Sequence, residues 1–562
     1  MKMKNINIFV LSSLVLLLLV MSGCEDDLTN ANINPNGVSP ETANPGQIMP
    51  KVMVDLARSY TELGYGFLGG TMQHMQEDAW KNTYNDYVWD NRNWDDYYSM
   101  LRNNKFVYET AVENNQPFLE GMALTMKGLI FGKITDLWGE VPYTEALKAN
   151  DDNPILTPAY DNQDIIYQGI LEDLKQAASI FATGNTDGTL GGNDVYFNGD
   201  IHAWHKFANS LILRFSMRLS EKMPDAARSN IEQVYNSGIY LTNSSEDVSV
   251  SYNDADFWPA AAVETDPTNF RRRRICNTLL DKLYDYNDPR KEVWVRPVHC
   301  QWVEDTSLTE PVDPYIRENG ELTDVISYSD AQYLERIEAG NVYTRHFNPD
   351  LVNEPFDTRE YVGVPPNMFD PSGHNGNPTP GQQLQNQHVS QLADIFREPS
   401  GEFLESRVIT AAEVSFILAE AAWRGWNTGS AEEHYNNGVQ QALNIWGVGD
   451  HYSDYIQNSG VTFNNTLEQI IEQKWIAAFT IATEAWFDFR RTGYPNITPG
   501  PSALEQAVPL RFKYGNDELN FNSGNVQTAI QRLEPLSPYS DNHGNNSQWH
   551  KFWLIQDTNQ NW

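Results

Sequence analysis

The stretch Glu77 to Tyr98, EDAWKNTYNDYVWDNRNWDDYY, sets seven aromatic residues among Asn and Asp. An exposed ring offers a flat apolar face to the C–H face of a sugar, while short amides and carboxylates beside it hydrogen-bond hydroxyls. Part of this stretch is structural. Trp94, Tyr97, Tyr98 and Leu101 recur at helical spacing and lead into a helix reaching Val112, so they are expected in a core. Trp80, Tyr84, Tyr87 and Trp89 precede that pattern and are candidate ligand contacts, with loop packing as the alternative. Trp258, Trp302 and Tyr361 form a second candidate set in a segment without periodicity, where Trp294 also falls; each alone is more often packed than exposed.

Other chemistries find weaker support. Arg271 to Arg274 form a basic run that could hold an acidic group, yet in so acidic a chain such a run more often pairs with local carboxylates. His202 and His205 stand three apart, but no third ligand accompanies them, and no metal or cofactor is expected. Cys276 and Cys300 are either a disulfide or two buried thiols. GYGFLG, Gly64 to Gly69, spells the dinucleotide fingerprint, but a helix precedes it where a strand is required, so it reads as a flexible turn. HExxH, GxSxG and GxxxxGK[ST] motifs are missing, and no cysteine pairs convincingly with a histidine. Abundant carboxylates leave a glycoside hydrolase open as a rival to a binding protein, because its acid pair can come from anywhere in the sequence.

The elements that must position these residues are helices. Thr410 to Glu413 (TAAE), Ser430 to Glu433 (SAEE) and Thr466 to Gln469 (TLEQ) each spell a capping box. After the first, Val414, Ile417, Leu418, Ala421 and Ala422 recur at three and four residues, and Gly425 follows where a left-handed cap is wanted. The second run ends through Ala442, Leu443 and Trp446 at Gly447, so 410–447 reads as a helical hairpin. The third reads as one long helix to Gly493, with Arg490 and Arg491 near the negative end of its dipole. Near the other end, Ile48, Val52, Leu56 and Tyr60 share one face of a helix over about 46–63. Residues 251–400 lose this periodicity and gain Pro, Gly and Asn, as a long functional insertion would.

Residues 1–24 read as a targeting segment. Lys2 and Lys4 precede the apolar run Ile8 to Val20, which is short for a membrane span, and VMSGC resembles the bacterial lipobox, so Cys24 is expected to be acylated after removal of 1–23. The Asn/Pro/Thr-rich residues 24–46 read as a tether. A net charge of −36 excludes nucleic acid as a plausible partner, since that affinity rests on cations neutralising phosphates.

Three strings carry a family resemblance: "TAAEVSFILAEAAWRG", "AEEHYNNGVQQAL" and above all "EQKWIAAFTIATEAWFDFRRTGYP". Together with "GLIFGKITDLWGEVPYTEAL", "PAYDNQDIIYQGILEDLKQA" and "WHKFANSLILRFSMRLS", they resemble the SusD/RagB family of Bacteroidetes outer-membrane nutrient-binding lipoproteins, in its SusD-like subgroup. The resemblance implies a mostly α-helical domain over 47–562, with tetratricopeptide-like helix pairs in about 47–250 and 400–495 and long loops forming a ligand face. It also implies a non-enzymatic protein, lipid-anchored at the cell surface, with Glu25, Asp26 and Asp27 acting as an export signal after Cys24. Such a protein would present glycans, or in some members peptides, to a TonB-dependent SusC-like transporter.

Overall fold

The computed structural model describes residues 43–77, 83–253, 258, 273–380, 386–558, 560 and 562. Cys24 and Trp80 lie outside them, as do Arg271 and Arg272. Helix α1 (Pro45–Leu63) buries Met49, Val52, Met53, Leu56, Ala57 and Tyr60 along one stripe, as its spacing predicts. It runs directly into a π-helical turn, Gly64–Leu68, so GYGFLG is a continuation of helix and not a flexible turn. Gly64 is needed there for close approach: a Cβ would stand 2.7 Å from the Ile481 Cα and 2.8 Å from the Thr480 carbonyl oxygen.

Helices α2 (Asp95–Glu113), α3 (Pro117–Trp138), α4 (Gln163–Ala182), α5 (Ile201–Arg218) and α6 (Pro224–Ser237) follow as successive packed neighbours. α3 is apolar around nearly its whole circumference and is covered on all sides, with α2, α4 and α5 against it. α5 starts where sequence chemistry starts it, the Asp200 carboxylate accepting the N–H groups of His202 and Ala203.

The 410–447 hairpin forms as α7 (Ala411–Trp423) and α8 (Ala431–Asn444), and α9 (Leu467–Ala477) packs on α7. In each of these three helices the cap hydroxyl, Thr410, Ser430 or Thr466, accepts the expected N–H. The return limb of the box is diverted at two of them. Glu413 binds Arg214 instead, and Gln469 binds the N–H of Asn464 and the carbonyls of Gly460 and Thr462. A complete reciprocal box occurs at Ser329 and Gln332, ahead of a short helix Asp330–Glu338.

The expected third long helix is two. α9 ends at Ala477 and α10 (Ala482–Thr492) begins after a buried break in which Thr480 takes φ +75°. A β-branched residue rarely tolerates that conformation, and the Gly64 turn packed against the break holds it. Gly493, at φ +77°, closes α10 as a left-handed cap.

Residues 251–400 hold more order than the loss of periodicity suggests. β1 (Gln301–Glu304), β2 (Arg317–Glu318), β3 (Glu321–Leu322) and β4 (Tyr343–Phe347) form a sheet in the order β1-β4-β2-β3, the first pair parallel. Beneath it Cys300, Ile316, Tyr333 and Tyr343 form a small core of their own. Cys276 and Cys300 are both buried free thiols, and burial pushes each up to about 12, so they behave as inert hydrophobes.

Candidate functional site

An open groove of about 940 Å³ lies between α1 and α2. Lys51, Asp55, Arg58, Ser59 and Glu62 line it from α1; Asp96, Tyr97, Ser99 and Asn103 line it from α2. Its floor includes one half-buried ring, Phe67 of the π-helical turn, backed by the buried rings of Trp138 at the end of α3 and Phe512. One end is closed by Arg92 and Asn93. They are held by a short parallel pairing of Asn91 and Arg92 with Lys513 and Tyr514, and the Trp138 indole N–H donates at 3.2 Å to both the Arg92 and Lys513 carbonyls. Arg92 lies over the Phe67 ring, 3.9 Å from its centroid. A cavity of this size, floored by rings and edged with amides, hydroxyls and charges, accommodates a ligand that is itself both apolar-faced and hydroxyl-rich.

The aromatic platform expected from the sequence is corrected by burial. Tyr84, Tyr87, Trp89, Trp258, Trp302 and Tyr361 are all buried, so none offers an open ring face. Trp89 sits one layer beneath the groove floor, against Phe67, Phe512 and Trp486. Tyr84 packs under the backbone of Gly70, and Tyr87 packs with Ala507 and Trp549. Trp258 is enclosed by Tyr65, Tyr252 and Phe396. Trp302 is stacked between Phe356 and His388, each 4.4 Å away, with its N–H on the Asn375 carbonyl. Tyr361 packs edge-on to Tyr284, with Lys291 over both rings. Trp94, Tyr97 and Leu101 are buried as expected, and Tyr98 is half-buried with its hydroxyl on the Pro142 carbonyl. The stretch 77–98 does reach the groove, through Arg92, Asn93, Asp96 and Tyr97. These residues flank the start of α2, and aromaticity does not single them out, since Tyr97 is the one ring among the four.

The lesser candidates resolve as structure. Arg273 and Arg274 lie in the strand Arg273–Ile275, paired antiparallel with Met75–Glu77, and Arg273 covers the rings of Tyr65 and Tyr84. His202 and His205 sit on α5, and among the described residues no group of three His, Cys, Asp or Glu is placed to hold a metal ion.

The string that reads most densely, EAWFDFRRTG, lies in the interior. Arg491 grips Glu420 with both terminal nitrogens and reaches Asp488 at 3.1 Å; Lys474 meets the other Asp488 oxygen at 2.7 Å. Arg218 contacts Asp136 at 3.2 Å, Asp488 at 3.4 Å and also Glu484, while Arg214 holds Glu413 at 2.6 and 2.7 Å. Arg490 donates to the carbonyls of Asp136 and Leu510. Five helices, α3, α5, α7, α9 and α10, are tied through this network. Burial alone would raise the Asp488 carboxyl, but Lys474, Arg491 and Arg218 hold it well below its ordinary range. Arg490 and Arg491 therefore serve as buried partners between helices more than as dipole compensation.

A family model described as starch-binding associating with outer membrane, SusD-like, matches residues 35–309 and 365–515, most of the chain. The protein belongs to the SusD-like family. Solved structures share its fold. A putative outer-membrane protein from Bacteroides vulgatus, described as probably involved in nutrient binding, is 22% identical with a TM-score of 0.68 and covers 92% of this chain and 100% of its own. A chitin-binding protein is 23% identical, with a TM-score of 0.67 over 91% of this chain and 100% of that one. A chitin-binding SusD homologue from Flavobacterium johnsoniae is 19% identical, with a TM-score of 0.63 over 91% and 99%. No curated protein matches. In this SusD-like chain the family match is interrupted over 310–364, the segment that supplies β2, β3, the helix Asp330–Glu338 and β4. Both helices that wall the groove lie inside the matched region.

Proposed function

We propose that this SusD-like protein is a surface-exposed, lipid-anchored receptor that captures an oligo- or polysaccharide in the α1–α2 groove and passes it to a TonB-dependent SusC-like transporter. The supporting observation is the groove itself, aromatic-floored and polar-walled, in a chain of a family described as starch-binding and associated with the outer membrane. Phe67, the half-buried ring of the lining, takes the apolar face of a sugar, and the amides and hydroxyls of Asn93, Asn103 and Ser99 take its hydroxyls. A few aromatic contacts of about 0.5 to 1.5 kcal/mol each on an open surface give weak affinity, about micromolar to millimolar, which suits handover of cargo.

Titration calorimetry on protein lacking residues 1–24, against maltohexaose, chitohexaose, acidic oligosaccharides and peptides of similar size, tests this. Binding of a saccharide without release of reducing ends supports a receptor, whereas turnover makes the protein a hydrolase. Binding of peptides alone replaces the cargo and keeps the site.

The anchor is proposed at Cys24. Each buried methylene adds about 0.8 kcal/mol, so several acyl chains together hold a soluble body durably. Cys24→Ala, expressed without the transporter, should leave the membrane fraction in detergent-free buffer; retention there would refute the anchor. Affinity purification in mild detergent from the native host should recover a TonB-dependent barrel, and its consistent absence would remove the transporter from the reading.

A further inference from the structure

Arg92 narrows the class of saccharide the groove would take, an inference that rests on the groove's being a saccharide site. Its backbone is fixed by the pairing with Tyr514 and by the Trp138 indole, so its side chain leaves from a defined point at the groove end. Its guanidinium is packed over the Phe67 ring at 3.9 Å and near that of Phe512 at 4.7 Å. Rings against a guanidinium cover its faces and leave its edges, where all five N–H donors point. Among the described residues those donors meet no carboxylate and no hydrogen-bonding side chain. The half-buried guanidinium is pushed by burial below its ordinary value, a shift that Tyr97 and Asp90 nearby offset only in part.

Most of the other charges around the groove are already engaged. Lys51 is tied to Asp55 at 2.7 Å. Arg58 donates to the carbonyls of Val250 and Ser251 and lies over the Tyr252 ring. Glu62 faces the buried Lys133, which donates to Ser59 and lies over the Tyr60 ring. Asp96 sits in the first turn of α2, at the positive end of the helix dipole. Arg92 is thus the wall cation held ready by packing, with no ion pair or side-chain hydrogen bond of its own among the described residues.

We propose that the groove binds an acidic saccharide, whose carboxylate or sulfate is taken in the plane of the Arg92 fork while its ring lies toward Phe67 and Tyr97. A planar, two-donor edge matches both anions. The chain's charge of −36 does not forbid this, because exposed charges beyond about 8 Å are largely screened at physiological ionic strength, whereas a guanidinium in direct contact is not. A neutral glycan satisfies the amides and hydroxyls of the walls but gives no return for holding a cation without an ion pair half out of water.

The experiment is titration calorimetry on protein lacking residues 1–24 with four probes: trigalacturonate, which carries only carboxylates; a carrageenan tetrasaccharide, which carries only sulfates; maltohexaose; and chitohexaose. At least one acidic probe should bind more tightly than both neutral ones, with an affinity that falls as sodium chloride rises. Arg92→Gln should weaken that probe about tenfold or more, and Arg92→Lys should recover part of the loss but not all, because an ammonium keeps the charge and loses the fork. Melting curves for both variants establish that they fold. The inference is overturned, with the saccharide function intact, if a neutral probe binds best or if folded Arg92→Gln holds the acidic probe within twofold. If no saccharide binds under any condition, both the inference and the proposed function fall.

Discussion

The buried network around α10 and the open groove between α1 and α2 use the same side chains in opposite ways. In the first, Arg214, Arg218, Arg491 and Lys474 are matched against Asp136, Glu413, Glu420, Glu484 and Asp488 in the interior. In the second, Arg92, Glu62 and Asp96 stand along a wall open to solvent. A charge taken out of water must be answered within the protein, so the network is a structural joint between helices; a charge left at a cavity wall can be answered by a ligand. A dense run of charged and aromatic letters therefore does not mark a binding site until it is known what covers it.

The contrast is broken most forcefully by removing one partner from the network. Arg491→Ala leaves Glu420 and Asp488 buried without it and should cost about 3–5 kcal/mol, read by chemical denaturation; a loss below about 1 kcal/mol would mean that water enters and the network is not closed. Trp89→Ala should also cost about 3–5 kcal/mol, because it empties the layer under Phe67 and Phe512. Trp89→Phe should be far milder, since the indole N–H makes no hydrogen bond among the described residues. If Trp89→Ala instead leaves stability unchanged and abolishes saccharide binding, the ring is a ligand contact after all.

Acid provides a third, smaller perturbation. His388 is buried, stacked on Trp302 and donating through Nδ1 to the Cys300 carbonyl, and burial first, then Arg345, lowers it to about 3. Its folded value lies below its unfolded one of about 6.5, so its contribution is complete above pH 6.5 and is lost as pH falls toward 3. At pH 5 the loss is about 2 kcal/mol. His388→Gln should therefore flatten the fall in melting temperature between pH 7 and 5, and an unchanged slope would contradict the buried neutral imidazole.

The smallest effect belongs to the groove. Asn103→Ala should weaken saccharide binding by about fivefold, the worth of roughly one hydrogen bond, with the melting temperature unmoved. A drop in stability without a change in binding would transfer this residue from the site to the scaffold.

The sequence alone determined the helices and their ends. Periodicity, the hydroxyls of Thr410, Ser430 and Thr466 and the terminal Gly493 act within a few residues of themselves, so α1, α2, α7, α8, the start of α9 and the end of α10 follow from local chemistry. The family, too, was legible in the strings those helices contain. Tertiary structure decided whatever depended on an element distant in the chain. The break at Thr480 exists because the Gly64 turn packs against it, some four hundred residues away in sequence. Glu413 leaves its capping box because Arg214 is nearer to hand. Trp89 is interior because Trp486 of α10 and Phe512 cover it, and the strand that follows Phe512 pins Arg92 at the groove's edge. Local propensity fixes which way a side chain leaves the backbone; only the long-range packing fixes whether water, protein or ligand meets it.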